Sequence, residues 1–294
     1  ALMVTDNRGW YIAQGNYEDT RQGRTSVGID TTHSVGLAAY VYRDPQLAWI
    51  LRNTAGFREM TGDGWGFGSG IAGGRYPLPE DVVTNKPEDW LGVSTLMLAR
   101  TYYQDSGFYL THSGRHSGAE LPSWAALVPP ETAVELLTFR DRFSPDGQYL
   151  HISGYHGGRY SSMDANAIIR YADRGHVWLC AQTEQLGHYF RNALHIGHGH
   201  HDDYLQMPGT IRLDAEANHD DVGMSATTLP HFNGADWTRH MFWRKGSYFV
   251  VIDTARFLGE GTYDLTCTWS SLPIARLEKD VWVARFMGTR FELH

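Results

Sequence analysis

The sequence has only two cysteines, Cys180 and Cys267, in 294 residues. That excludes a fold stapled by a disulfide framework. Both lie in apolar, strand-like runs and read as buried free thiols. Basic charge is also short, with 25 Lys and Arg against 33 Asp and Glu and a net charge of −8. Without a basic stripe to neutralise phosphates, nucleic acid is excluded as a partner. An acidic polymer is not excluded, because a local Arg or Lys cluster is enough to hold one. No apolar run approaches the roughly 20 residues that a membrane-spanning helix needs. The opening "ALMVTDNRGWY" does not read as a secretory leader or an obvious start, and the chain stops on the strand-like "VWVARFMGTRFELH". The expectation is an internal piece of a longer protein.

Apolar residues are not lacking. At 42% hydrophobic, the chain can build one large core or two smaller ones. Aromatics make up 13%, with 10 Trp and 16 Tyr. That richness suits β-structure packed in a core, and also surfaces on which sugars stack.

The first hundred or so residues read as helical. "DTTHSVGLAAYVYRD" carries a broad apolar face, with Asp30, Thr31 or Thr32 able to cap it. "DPQLAWILRNTAGF" follows, with Asp44 as N-cap, Pro45 as first helical residue and Gly56 as a stop. Residues 61–83, "TGDGWGFGSGIAGGRYPLPEDVV", hold seven glycines and two prolines and predict an irregular loop. It either lines a site or merely connects. "KPEDWLGVSTLMLARTYYQDSG" predicts a further helix.

From about Phe108 the character turns to β. Pairs of β-prone runs flank Asp146-Gly147, Asp173-Arg174-Gly175, Lys245-Gly246 and Met287-Gly288. Regular hairpins with glycine turns predict an antiparallel sandwich. The fold class is therefore α+β, with a helical segment over 1–107 and a β-sandwich over 108–294 that is possibly incomplete.

"HIGHGHHDDY", residues 195–204, packs six candidate ligands into nine residues. Neutral imidazoles and carboxylates suit zinc and similar divalent ions. His198, His200 and Asp202 resemble the front of the HxHxDH motif of metallo-β-lactamases, with Asp203 where that motif has its last histidine. A solvated polar loop is the blander reading. No other cofactor is called for.

"GYHGGRYSSMDANAIIRYADRGHVWL", residues 154–179, reads like an active-site strand: a glycine pair, mixed polar residues, an acid and an amide, then an apolar run. Together with "DSGFYL" at 105–110, "FRNALHIG" at 190–197 and "FWRKGSYFVVIDT" at 242–254, it resembles the heparinase II/III-like polysaccharide lyases. That resemblance implies an α/α toroid joined to a C-terminal antiparallel β-sandwich. It also implies a periplasmic or extracellular setting and cleavage of an acidic, uronic-acid-containing polysaccharide by β-elimination. The departures are specific. Where the family carries histidines two and four residues before its Asp, this chain has Ser162 and Tyr160, and the family's His-Asn pair is Arg191-Asn192.

Such a lyase must neutralise the uronate, take the C5 proton and protonate the leaving oxygen. Tyr ionises near about 10, so as a base it needs a cationic neighbour. Arg159 beside Tyr160 supplies that chemistry, and His156 is a substitute for the displaced histidine. Asn166 and Asn192 can hold the carboxylate. His33, Arg75 and Tyr76 are the contributors from the helical part, and Trp65 and Tyr76 the sugar platforms. Asp164 reads as a structural polar residue. The rival readings are a degenerate carbohydrate-binding or scaffold protein, with these residues as a buried polar network, and a metal-dependent hydrolase on the histidine cluster. Oligomeric state is left open.

Overall fold

A computed structural model of the chain describes residues 2–3, 5–7, 18–19, 24–25, 39, 41–53, 81–87, 92–97, 128–156, 165–180, 192–198 and 209–294. Most of these lie in antiparallel β-structure. Two short strands, β1 (Glu18–Asp19) and β2 (Arg24–Thr25), pair near the start. Helix α1 (Pro45–Asn53) comes next. Its start is the one the sequence announces. The Asp44 carboxylate accepts from the backbone N–H groups of Gln46 and Leu47, at 3.0 and 2.9 Å, and so satisfies two donors that the first turn leaves free. Its buried face, Leu47, Ala48 and Ile50, packs with Leu2, Val82 and Phe143.

Of the helical segment expected over 1–107, the described residues hold α1 and the helical positions Ala39 and Val41. No toroid is seen among them. The helix predicted over 86–107 is corrected within its span. Gly92–Met97 is a strand, β3, paired antiparallel with β4 (Ala133–Arg140) from Gly92↔Arg140 to Leu96↔Leu136. The reason is local as well as tertiary. Gly92 has a left-handed φ of 94°, which no right-handed helix contains, and Val93 and Thr95 are β-branched. The open edge of β4 then supplies backbone partners that a helix would not use.

The remaining strands follow in order: β5 (Tyr149–Ser153), β6 (Tyr155–His156), β7 (Ile168–Asp173), β8 (His176–Cys180), β9 (Ala193–His198), β10 (Gly209–Asn218), β11 (Val222–Phe232), β12 (Ala235–Arg244), β13 (Tyr248–Phe257), β14 (Tyr263–Thr268), β15 (Ala275–Glu278), β16 (Val281–Phe286) and β17 (Thr289–Leu293). Ten of them form one sheet in the order β13-β12-β11-β10-β4-β5-β7-β8, with β3 also on β4 and β6 on β10. Strand β9 pairs β14, and β15-β16-β17 make a small three-stranded sheet. The predicted hairpins are all present. Arg174-Gly175 and Met287-Gly288 have positive φ at both central residues, the two-residue turn whose twist matches its strands.

The long sheet folds over on itself. Phe139 of β4 meets Trp243 of β12 and Phe249 of β13 edge-on, at 5.9 and 5.6 Å between ring centres. Tyr171 of β7 meets Phe249 at 5.5 Å. These strands stand several places apart in the sheet order, so the contacts run face to face, as in a sandwich. Trp178, Trp237 and Trp243 are fully buried in this core, each contributing about 2–3 kcal/mol through apolar burial. Both cysteines are free, as expected; Cys180 is buried, but Cys267 is exposed. Strand β14, which carries it, pairs only with β9 in a two-stranded sheet, so an apolar run did not imply an interior one.

Candidate functional site

The stretch carrying Arg159, Tyr160 and Asp164 is entered from β6 and left through Asn166. Strand β6 pairs with β10, placing His156 opposite Gly209 and Tyr155 opposite Thr210. Just before it, Gly154 passes so close to β4 that a Cβ would lie 1.9 Å from the Val134 carbonyl oxygen, which demands glycine. The Thr210 hydroxyl donates to the carbonyls of Val134 and Gly154, at 3.2 and 3.1 Å, closing this junction.

On the exit side Asn166 adopts a left-handed φ of 65°, which Asn tolerates better than most residues. It is fully buried. Its amide NH₂ donates to the Thr227 and Trp237 carbonyls at 3.3 and 3.4 Å, and its carbonyl accepts from the Thr227 hydroxyl at 2.7 Å. Asn192 is equally buried. It donates to the Ile168 carbonyl at 2.8 Å and accepts from the Ser270 N–H at 2.7 Å. Arg239 joins the two, one Nη1 donating to both backbone carbonyls at 2.8 Å. Asp253 receives Arg239 Nε and Nη2, each at 2.8 Å, and the Trp237 indole N–H at 2.9 Å.

A guanidinium with no solvent exposure is thus held by a bidentate carboxylate and two carbonyls, the arrangement that makes a buried charge tolerable. The side chains of the two asparagines expected to hold a substrate carboxylate are hydrogen-bonded within the framework. Their amides tie β7, β9, β11 and β12 together.

A second polar layer, which the sequence reading missed, covers the other side of β4, β5 and β7. Thr138, His151 and Arg170 stand in register across these strands, next to the pair Arg140 and Tyr149. Arg140 donates to the Asn7 side chain at 2.9 Å and to the carbonyls of Leu2 and Thr5 at 3.2 and 2.6 Å. It also lies over the rings of Phe143 and Tyr149. Burial lowers its pKa to about 10, against the opposing pull of Tyr149 and Asp6, so it stays charged at neutral pH. Arg170 donates to Asp6 at 3.3 Å with both side chains buried. Between them His151 is fully buried, and its two ring nitrogens find no hydrogen-bond partner among the described residues. Burial and then the neighbouring Arg170 charge hold its pKa down at about 3, so the ring is neutral. The available signal was a charged residue inside each of the apolar strands "AVELLTFR" and "IIRYAD".

His198 ends β9 opposite Tyr263. Its ring stacks on the Tyr263 ring at 4.1 Å and 4°, and Tyr263 stacks in turn on Phe257 at 4.2 Å. Nε2 lies 3.3 Å from the Glu260 carbonyl, to which it can only donate. Glycines 234 and 261 crowd the two nitrogens: a Cβ on either would come within 2.9 Å of one of them. The ring is therefore fixed in place with one nitrogen already engaged. His33, Trp65, Arg75, Tyr76, Arg159, Tyr160, Asp164, His200 and Asp202 lie outside the described residues, as does the side chain of His156. No group of three or more metal-type ligands is assembled among the described residues.

No family model matches the chain. No curated protein matches it either. Its fold is similar to that of the heparan sulfate lyase HepC from Pedobacter heparinus, with a TM-score of 0.56 and 11% identity over 97% of this chain and 36% of that one. A solved heparinase III gives a TM-score of 0.56 at 7% identity, over 96% of this chain and 35% of that one. The chain spans little more than a third of these lyases. At such identities the likeness is one of fold.

Proposed function

We propose that the chain is the lyase-like sandwich portion of a protein that cleaves an acidic, uronic-acid-containing polysaccharide by β-elimination. The observation that carries this reading is the fold similarity to a heparan sulfate lyase across 97% of the chain. The stretch 157–164 supplies Tyr160 as the proton-transferring group, with Arg159 as the cation that eases its ionisation, and His156 just before it in sequence is the second acid–base candidate. Asn166 and Asn192 act as braces of the framework. Trp65, Arg75, Tyr76 and His33 are the substrate-binding candidates from the first hundred residues, and the setting is periplasmic or extracellular. His198, with His200 and Asp202, remains the candidate zinc position.

A second reading has a specific observation in its favour. Tyr160 and Ser162 stand where the resembled family places histidines, and both asparagines have framework partners. This is the pattern of a carbohydrate-binding descendant that has lost catalysis. The discriminating assay offers the intact protein a panel of uronate polymers and follows the ultraviolet absorbance of the unsaturated product. Product that disappears in Tyr160→Phe, with melting unchanged, supports the lyase. Binding without product supports the descendant. Activity that ignores chelator, together with no bound metal on elemental analysis, removes zinc from the scheme.

A further inference from the structure

The outer face of the β10–β13 part of the sheet is built the wrong way round for a surface in water. Antiparallel sheets that face solvent alternate apolar-in and polar-out. Inward, β12 presents Trp237, Arg239, Met241 and Trp243, all buried. Its outward residues include Phe242, with 39% of its surface exposed. The register extends this outward row across four strands as Ala217, Met224, Phe242 and Val250. A neighbouring row reads Ala215, Ala226, His240 and Ile252, with Tyr248 at the end of β13. Met224, Val250, Ile252 and Tyr248 are exposed by 39, 40, 54 and 54%. An apolar band of this kind, rimmed by polar groups, marks an interaction surface.

The rim says what kind. Its charges include three ion pairs, Arg212 with Asp214 at 2.6 Å, Arg244 with Asp221 at 3.5 Å, and Arg256 with Asp236, and one further charge of each sign, Lys245 and Asp220, in the turns at one end. Counted with Lys245 and Asp220, four cations and four anions make the rim neutral on a chain whose net charge is −8. A surface that meets its own copy about a two-fold axis cannot carry a net charge without repelling itself, and needs both signs to complement itself. An acidic sugar would want unpaired arginines; here each rim arginine has its carboxylate. Aliphatic Met, Val and Ile also make poor sugar platforms. Strands about 4.8 Å apart and outward side chains about 6.8 Å apart give a face of roughly 20 by 25 Å, or about 500 Å². A stable dimer buries about 800 Å² per partner, so the neutral rim takes part in the contact.

We propose that this face is the contact between two copies of this chain, centred on Met224, Phe242, Val250 and Ile252. It stands apart from the lyase reading. Sedimentation velocity over a concentration series reads it directly, with the expected result a species of two chains that grows with concentration and persists in high salt. In Phe242→Glu/Ile252→Glu the association weakens at least about 30-fold, with unchanged far-ultraviolet dichroism. A wild-type chain that remains single up to its solubility limit overturns the proposal, as does a dimer untouched by the double substitution or one dissolved by salt. An arm without substitutions guards against misfolding of that variant. Hydroxyl-radical labelling of Met224 and Phe242 in the wild type should fall as concentration rises, while labelling of Met287, 80% exposed and off the face, stays level. Equal labelling of Met224 at all concentrations rejects the dimer.

Discussion

Arg239 and Arg170 are both shut off from solvent, yet they sit in opposite kinds of surroundings. Arg239 lies within the sandwich, and β12 and β13 bring its bidentate partner Asp253 alongside it. Arg170 lies on the reverse side of β7, and its partner Asp6 arrives from the far start of the chain. The first network is closed by neighbouring strands of one sheet. The second is closed only when the N-terminal segment docks, and it leaves the His151 ring unbonded beside the charge. A polar cluster inside a sheet can be satisfied strand by strand. One between a sheet and a docked segment depends on how well that segment seats.

The largest test of this contrast is Arg239→Ala. It strands Asp253 without its cation and takes from the buried Asn166 carbonyl its arginine donor, while the Asn192 carbonyl keeps the Ile168 N–H; it should cost about 3–5 kcal/mol, read as a shift in the urea midpoint at unchanged slope. A loss below about 1 kcal/mol would mean that the network is not what joins these strands. Next comes Arg140→Ala. Loss of its hydrogen bonds to residues 2–7 should cost about 2–3 kcal/mol and expose the N-terminal segment to protease at concentrations that spare the sandwich. Uniform protection of both regions would erase the distinction between them.

The smallest effect, and the one with a pH signature, is His151→Leu. The native ring takes its proton only near about 3, whereas the unfolded one does so near its ordinary 6.5. This group's contribution to stability is whole above pH 6.5 and declines as pH falls toward 3, by up to about 1.4 kcal/mol per pH unit. Leucine should flatten that part of the stability–pH curve and add about 1 kcal/mol at neutral pH. An unchanged slope in the variant would place the acid sensitivity elsewhere.

Several features were legible before any coordinates. Asp44-Pro45 announced the start of α1, since a carboxylate before a proline satisfies the first turn whatever surrounds it. Asp146-Gly147, Arg174-Gly175, Lys245-Gly246 and Met287-Gly288 announced four hairpins, since such turns need positive φ or a tight bend within two or three residues. The strand at Gly92–Met97 was misread because its apolar spacing also fits a helix; its left-handed Gly92 and β-branched residues, together with the edge of β4, decided it. Asn166 and Asn192 illustrate the same limit at the site. An amide in an apolar strand reads equally as a carboxylate holder or as a brace. The choice fell to Thr227, Trp237, Ile168 and Ser270, which approach these amides from distant points in the sequence.

Sequence alone determined the local pieces: a capped helix, the turn positions, the alternation that makes strands, and the resemblance carried by the glycine-led stretch before Asn166. Tertiary structure decided what those pieces face. It turned Arg239 inward onto Asp253, set Arg140 and Arg170 against the N-terminal segment, stacked His198 on Tyr263 and left Phe242 pointing at water. The physical reason is range. Caps and turns are settled by bonds within a few residues, whereas burial and charge pairing depend on groups that only the completed sheet brings together.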